Sequence, residues 1–300
     1  MLALLLLLAQ TPALHEAIAQ YDPSAAEALI AAGADPNLRD SHDRTPLHVA
    51  VTSFGLRKLD VMRLLLVKGA DPNLRDDAGA SPLDEAAWGG WAAKVALLLD
   101  SGAKIDARDT KTGATPLNEA AFKGHVAVME LLLARGARAD IKDYAGFSPV
   151  ENAVRQHRPE AARILLTHHQ DRELTNRLLE EAVRRGHADT VEMLLDAGAD
   201  IDARSASGST ALYDAALKGD GAIVSLLVNR GADVNAAETI SETTPLYAAA
   251  AFGRQEAVVV LLLSGADPNL ISKEGISPLH AAESNQHQTI AENIRAAGGH

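Results

Sequence analysis

The chain has 300 residues, and its 47% hydrophobic content supports a large core, but with only 3% aromatics that core must be built from Leu, Ala, Val and Ile. A formal net charge of −12 argues against sequence-independent nucleic-acid binding, which needs a basic stripe. The absence of cysteine excludes disulfides, thiolate metal sites and cysteine nucleophiles.

Residues 1–10, MLALLLLLAQ, differ from all that follows. The apolar run 2–9 is too short to span a bilayer and resembles the centre of a secretory signal peptide, with Ala9 as a candidate cleavage residue. No Lys or Arg precedes Arg39, so the positive leader of such a signal is missing. Two readings stay open. One is a signal that places the protein in the periplasm or outside the cell, with a cytoplasmic location as the alternative; the other is an apolar cap on the edge of the first structural unit. Charges and Gly interrupt every later Leu cluster, so no membrane span is expected once such a signal is removed.

From residue 12 a block of about 33 residues recurs. TPLHVA (45–50), TPLNEAAFKGH (115–125), TPLYAAAAFGR (244–254) and SPLHAAE (277–283) are copies of one line, and segments such as LLVKGADPN (65–73) alternate with them. In the unit that starts at Thr115, that residue suits a helix N-cap and Pro116 the first helical position, where a missing N–H costs nothing. Leu117, Ala120 and Ala121 are expected to face inward, and Gly124 to end the helix in the left-handed region. Val128, Leu131 and Leu132 carry the spacing of a second helix, which Gly136 ends. The stretch from Ala137 to Phe147 is long enough for a projecting, hairpin-like finger before Ser148 and Pro149 restart the cycle.

The T-P-L-H-x-A line at this period resembles the ankyrin repeat. Nine units can be laid on residues 12–297, beginning near Pro12, Thr45, Ser81, Thr115, Ser148, Arg177, Thr210, Thr244 and Ser277. The resemblance implies a mainly α solenoid of about nine helix-turn-helix units joined by β-hairpin-like fingers. Two units depart from the pattern. The second carries about three extra residues around 53–59, which should lengthen the loop between its helices. The fifth ends in Thr167-His168-His169-Gln170 instead of a Gly-Ala-Asp turn, and Arg177-Leu178 replaces Thr-Pro in the next. A lost or shortened finger, a local change of curvature and an irregular break near 167–176 are expected there.

Most of the 11 histidines fall in register. His15, His48 and His280 hold the fourth motif position, where the resemblance implies hydrogen bonds to backbone between units. His125, His187 and His287 begin second helices. His168-His169 is off-pattern, but adjacent helical residues point apart and chelate poorly. Asp35, Asp71, Asp200, Asp233 and Asp267 recur as turn formers. No Ser-His-Asp order, nucleophile elbow or phosphate loop is readable. The expectation is a non-enzyme without cofactor or metal; a small-molecule binder or enzyme at the irregular fifth unit is the remote alternative.

The resemblance further implies that partners bind a concave face made by finger tips and the exposed side of the first helices. Seven residues after each Thr position lie Thr52, Trp88, Phe122, Arg155, Arg184, Leu217, Ala251 and Ser284, which vary where core positions repeat. Trp, Tyr and Arg are the usual anchors of interfaces. The candidate partner-binding residues are therefore Trp88, Phe122, Tyr144, Phe147, Arg155 and Arg184. Packing of the rings on their own fingers is the other reading. Lys123, Arg155, Arg184, Arg185 and Lys218 place positive charge on neighbouring first helices, which suits an acidic peptide or is a solvated face. The chain thus reads as a monomeric, non-catalytic scaffold for a protein partner, with no nucleic acid bound. An exported accessory protein that protects or regulates an enzyme is the alternative.

Overall fold

A computed structural model describes residues 13–20, 22–53, 58–168 and 171–300. The apolar start at 1–10, residues 54–57 of the enlarged second unit, and His169 with Gln170 lie outside them. Among the described residues there are eighteen helices and no strand. The chain divides into two compact units, Met1–Leu165 and Leu166–His300.

In the first unit the helix pairs are α1 (13–19) with α2 (Pro23–Ala31), α3 (Pro46–Thr52) with α4 (Lys58–Val67), α5 (Pro82–Trp88) with α6 (Ala92–Asp100), α7 (Pro116–Lys123) with α8 (Val126–Ala134), and α9 (Pro149–Arg155) with α10 (Pro159–Thr167). Helices α3, α5, α7 and α9 pack side by side in one row, and α2, α4, α6 and α8 form a second row. Each short first helix starts where the sequence expects. Thr115 N donates to Asn118 Oδ1 (3.0 Å) and Asn118 N to Thr115 Oγ1 (3.3 Å), a reciprocal capping box, with Pro116 at the first helical position. Ser81 and Asp84 repeat it. Gly124 closes α7 at φ 78° in the left-handed region.

The core is the stripe these caps orient. Leu83, Ala86 and Ala87 of α5, and Leu117, Ala120 and Ala121 of α7, are fully or almost fully buried. The Ala pairs let the first helices approach closely. In α8, Val128, Met129 and Leu132 are buried while Leu131 is half-buried. Helix α3 ends at Thr52 and α4 begins at Lys58, whereas α5 ends at Trp88 and α6 begins at Ala92; the longer loop expected around 53–59 falls largely on residues outside the described ones.

The fingers are hairpin-like turns, each closed by a pair of backbone bonds in which Gly79 N, Gly113 N and Gly146 N donate back to Asp76 O, Asp109 O and Asp143 O, and among the described residues none carries a strand. Asp76 N donates to Ala80 O (3.0 Å), Asp109 N to Ala114 O (2.7 Å) and Asp143 N to Phe147 O (2.9 Å). One bond also joins each of these fingers to the one before: Asp77 N to His42 O, Thr110 N to Gly79 O and Tyr144 N to Thr112 O. Just after the second helix of their units, all five in-register aspartates make the expected Asx turns, as where Asp71 Oδ1 accepts from Asn73 N at 2.9 Å.

The second unit pairs α11 (Arg172–Arg185) with α12 (Ala188–Asp196), α13 (Ala211–Lys218) with α14 (Gly221–Asn229), α15 (Pro245–Ala251) with α16 (Gln255–Leu263), and α17 (Pro278–Ser284) with α18 (Gln288–Ala296). Its first helices again form one row and its second helices another. Here α11 differs from the reading that began it near Arg177. It starts at Arg172 and runs for 14 residues. With no Pro to set the first position, Asp171 caps instead, its Oδ1 accepting from Glu173 N (3.0 Å) and Leu174 N (3.1 Å). The helix takes the place of a finger, leaving only residues 168–171 between α10 and α11.

Candidate functional site

The face built by α5, α7, α9 and their fingers carries most of the aromatic side chains of the first unit. Trp88 ends α5 and Phe122 lies one unit on in α7; their rings stack with centroids 5.7 Å apart and an interplanar angle of 21°. Trp88 remains 46% exposed, so the stack does not bury it. Phe147, at the base of the next finger, lies under the Arg155 guanidinium, 4.0 Å from the ring centroid. Trp88, Phe122, Phe147 and Arg155 line one open groove of about 410 Å³, whose polar groups include Asn118, Glu119 and Asn152.

The other two candidates lie elsewhere. Tyr144 is 63% exposed at a finger tip, and the Arg108 guanidinium sits 5.0 Å from its ring centroid. Its ring lies against the Gly113 turn of the preceding finger, so much of its contact is finger on finger. Arg184 belongs to the second unit, where Glu181 pairs with both Arg184 and Arg185. Lys218 Nζ donates to Arg184 O at 3.1 Å, and Lys123 Nζ lies 3.9 Å from the centroid of Trp88. The positive charges read as a strip for an acidic peptide thus have neighbours of their own.

A second open groove, of about 280 Å³, adjoins the first and shares Trp88 and Glu119 with it. Trp91, Asp76, Asp84, Glu85 and Asp109 also line it. Burial pushes the Asp84 carboxyl up to about 6, against the hydrogen bonds from Ser81. Burial likewise pushes Glu85 up to about 7, and Glu119 to about 7 with the help of neighbouring Asp84 and Asp109. The sequence reading passed over these three acids. The available signal was the fourth motif position, where the unit starting at Ser81 has Asp84 in place of His or Asn.

The histidines in register behave as framework. His15 Nε2 donates to Arg44 O (3.0 Å) and His48 Nε2 to Ala80 O (3.2 Å), each acceptor being the residue just before the next unit begins. His125 Nε2 donates to Trp88 O at 2.9 Å and so steadies the end of α5 that carries the candidate anchor. His280 is exposed. Among the described residues no group of three or more His, Asp or Glu converges to hold a metal ion, and no helix is long and apolar enough to cross a membrane.

The family model for ankyrin repeats matches the chain three times, over residues 14–109, 83–177 and 179–272. Over 119 residues the chain is 38% identical to Protein PhlB of Serratia liquefaciens, covering 40% of this chain and 52% of that protein. It is 34% identical over 121 residues to cyclin-dependent kinase 4 inhibitor B of Mus musculus, covering 40% and 92%. To ankyrin repeat and SOCS box protein 11 of Danio rerio it is 36% identical over 121 residues, covering 40% and 39%. The match therefore spans about half the length of the first of these relatives.

Proposed function

The chain belongs to the ankyrin repeat family, and from that membership we propose that it is a non-catalytic scaffold holding a partner protein on the first-helix and finger face of its N-terminal unit. One observation carries the placement: the Trp88–Phe122 stack and the Phe147–Arg155 pair line a single open groove, with Trp88 half exposed. Aromatic and Arg side chains already held in place lose little freedom on docking, so their contact area converts efficiently to affinity. A relative named as a kinase inhibitor supports a role by binding. Tyr144 extends the same face, while Arg184 would contribute as a separate contact in the second unit.

Affinity capture with the wild-type chain beside a Trp88→Ala/Phe122→Ala variant tests the reading, with melting curves of both. A partner retained by the first and lost by the second, with the variant still folded, supports the site. Equal capture by both would remove the binding site from this groove. A second reading, export as an accessory protein that protects or regulates an enzyme, rests on the Leu-rich stretch 2–9; fractionation of a C-terminally tagged chain tests it.

A further inference from the structure

Where a finger follows in the first unit, the fourth motif position donates a hydrogen bond to a carbonyl at that finger's base. His15 does so to Arg44 O, His48 to Ala80 O and Asn118 to Phe147 O. Asp84 holds the same position, but an ionised carboxylate has no proton to give. Its Oδ2 accepts from Ser81 N and Ser81 Oγ, both at 2.8 Å. Its Oδ1 has no hydrogen-bond partner, although the residue is only 3% exposed. Oε2 of the adjacent Glu85 is likewise buried without a partner.

Asp84, Glu85 and Glu119 line the groove of about 280 Å³, with Trp88 and Trp91 as walls. The other two acids there serve their own turns: Asp76 Oδ1 accepts from Ala80 N, and Asp109 Oδ1 from Lys111 N and Thr112 N. The nearby cations are held in place. Arg44 Nη2 donates to Thr52 Oγ1, and Arg75 Nη1 to Gly79 O. Lys94 Nζ donates to Val51 O and Ser53 O, while Lys123 rests on Trp88. The groove thus holds more carboxylate acceptors than the surrounding donors satisfy, although the buried Nε of Arg44, whose charge acts on Glu85, also lacks a partner.

We propose that this groove receives an arginine side chain of the partner polypeptide. The proposal rests on the reading that a protein docks on this face. Two buried acceptors, Asp84 Oδ1 and Glu85 Oε2, lack a partner, and the Glu119 carboxyl of the next unit lines the same groove; a guanidinium offers five N–H donors in a plane, against three on an ammonium. Indole walls suit that plane, and the protein itself sets a guanidinium over Phe147 and over Tyr144. A bound guanidinium favours the ionised acids, so it draws their raised pKa values down and its own binding weakens as acid protonates them.

The chain has two tryptophans, and both line this groove, so tryptophan emission reports on it directly. The full chain is titrated to millimolar concentration with a Gly-Ser peptide carrying one Arg, and with versions carrying Lys or citrulline. The expected result at about pH 8 is a saturable emission change with the Arg peptide, a weaker one with Lys and none with citrulline. The Arg response should weaken about tenfold at about pH 5.5 and in Glu85→Gln, an isosteric variant whose melting curve checks its fold. No response at pH 8, an equal response to Lys or citrulline, or an unchanged response in Glu85→Gln overturns the assignment. No natural partner is needed, so this failure is separable from that of the scaffold reading. A captured partner lost by Trp88→Ala/Phe122→Ala but fully kept by Glu85→Gln would sustain the scaffold and end the arginine site.

Discussion

At the scale of single residues, the fourth motif position decides most. His48 and Asn118 satisfy both their own N-cap and the next unit, whereas Asp84 satisfies only its N-cap. Asp84 holds its proton more tightly when folded (about 6) than at the ordinary value of 3.8. Its contribution to stability is therefore fully present below about pH 4 and disappears as the pH climbs past about 6, by an amount on the order of 3 kcal/mol. Glu85 and Glu119, also raised, extend the decline to about 7. Asp84→Asn removes the buried charge and restores an N–H donor as at Asn118. Stability at about pH 7.5 should rise by roughly 1–3 kcal/mol, and its fall between about pH 4.5 and 7.5 should shrink. Denaturant titrations at the two pH values measure this, and an unchanged or lowered stability at pH 7.5 refutes the missing-donor reading. Register exposed the turn-forming aspartates in the sequence because their partners lie two residues away. The odd residue at position 84 was readable in register, but the charge state of Asp84, Glu85 and Glu119 was not, because it depends on burial by neighbouring units.

At the scale of elements, caps and stops were readable because they are local. Thr or Ser before Pro starts α3, α5, α7, α9, α15 and α17, and Gly directly follows α5, α7, α11 and α13. α11 escaped because Asp171, six residues before the expected start near Arg177, supplies the cap. Glycine at the α5–α6 turn has a role beyond its turn. Gly90 sits at φ 73°, and a Cβ there would lie 2.6 Å from Nδ1 of His125, the ring that bonds Trp88 O. Gly102, at φ 88°, has open space. Gly102→Ala should cost about 1 kcal/mol, the ordinary left-handed strain. Gly90→Ala should cost roughly 2–3 kcal/mol, because His125 must also move. Paired denaturation midpoints test the difference, and equal losses would show that the ring's approach does not require the glycine.

At the scale of the whole molecule, stability in a repeat stack is approximately a sum over units and neighbour interfaces. Both tryptophans lie in the first compact unit, so their emission follows that unit while far-ultraviolet circular dichroism follows all helices. Leu227 is fully buried in α14 of the second unit. Leu227→Ala should cost about 2–5 kcal/mol and lower the dichroism midpoint more than the tryptophan midpoint. Coincident shifts would mean that the chain unfolds as one cooperative body.

The amino-acid sequence by itself determined the family, the helix-pair architecture, the caps and the corner turns, because each repeats at a fixed period and depends on residues a few places apart. It also named Trp88, Phe122, Phe147 and Arg155 among the candidate partner-binding residues. Only the tertiary structure decided that these four share one groove, that Tyr144 leans on its neighbouring finger, and that buried acids lie beside Trp88. Those facts arise from residues about 33 positions apart brought side by side, where burial sets charge state and a missing donor first becomes visible.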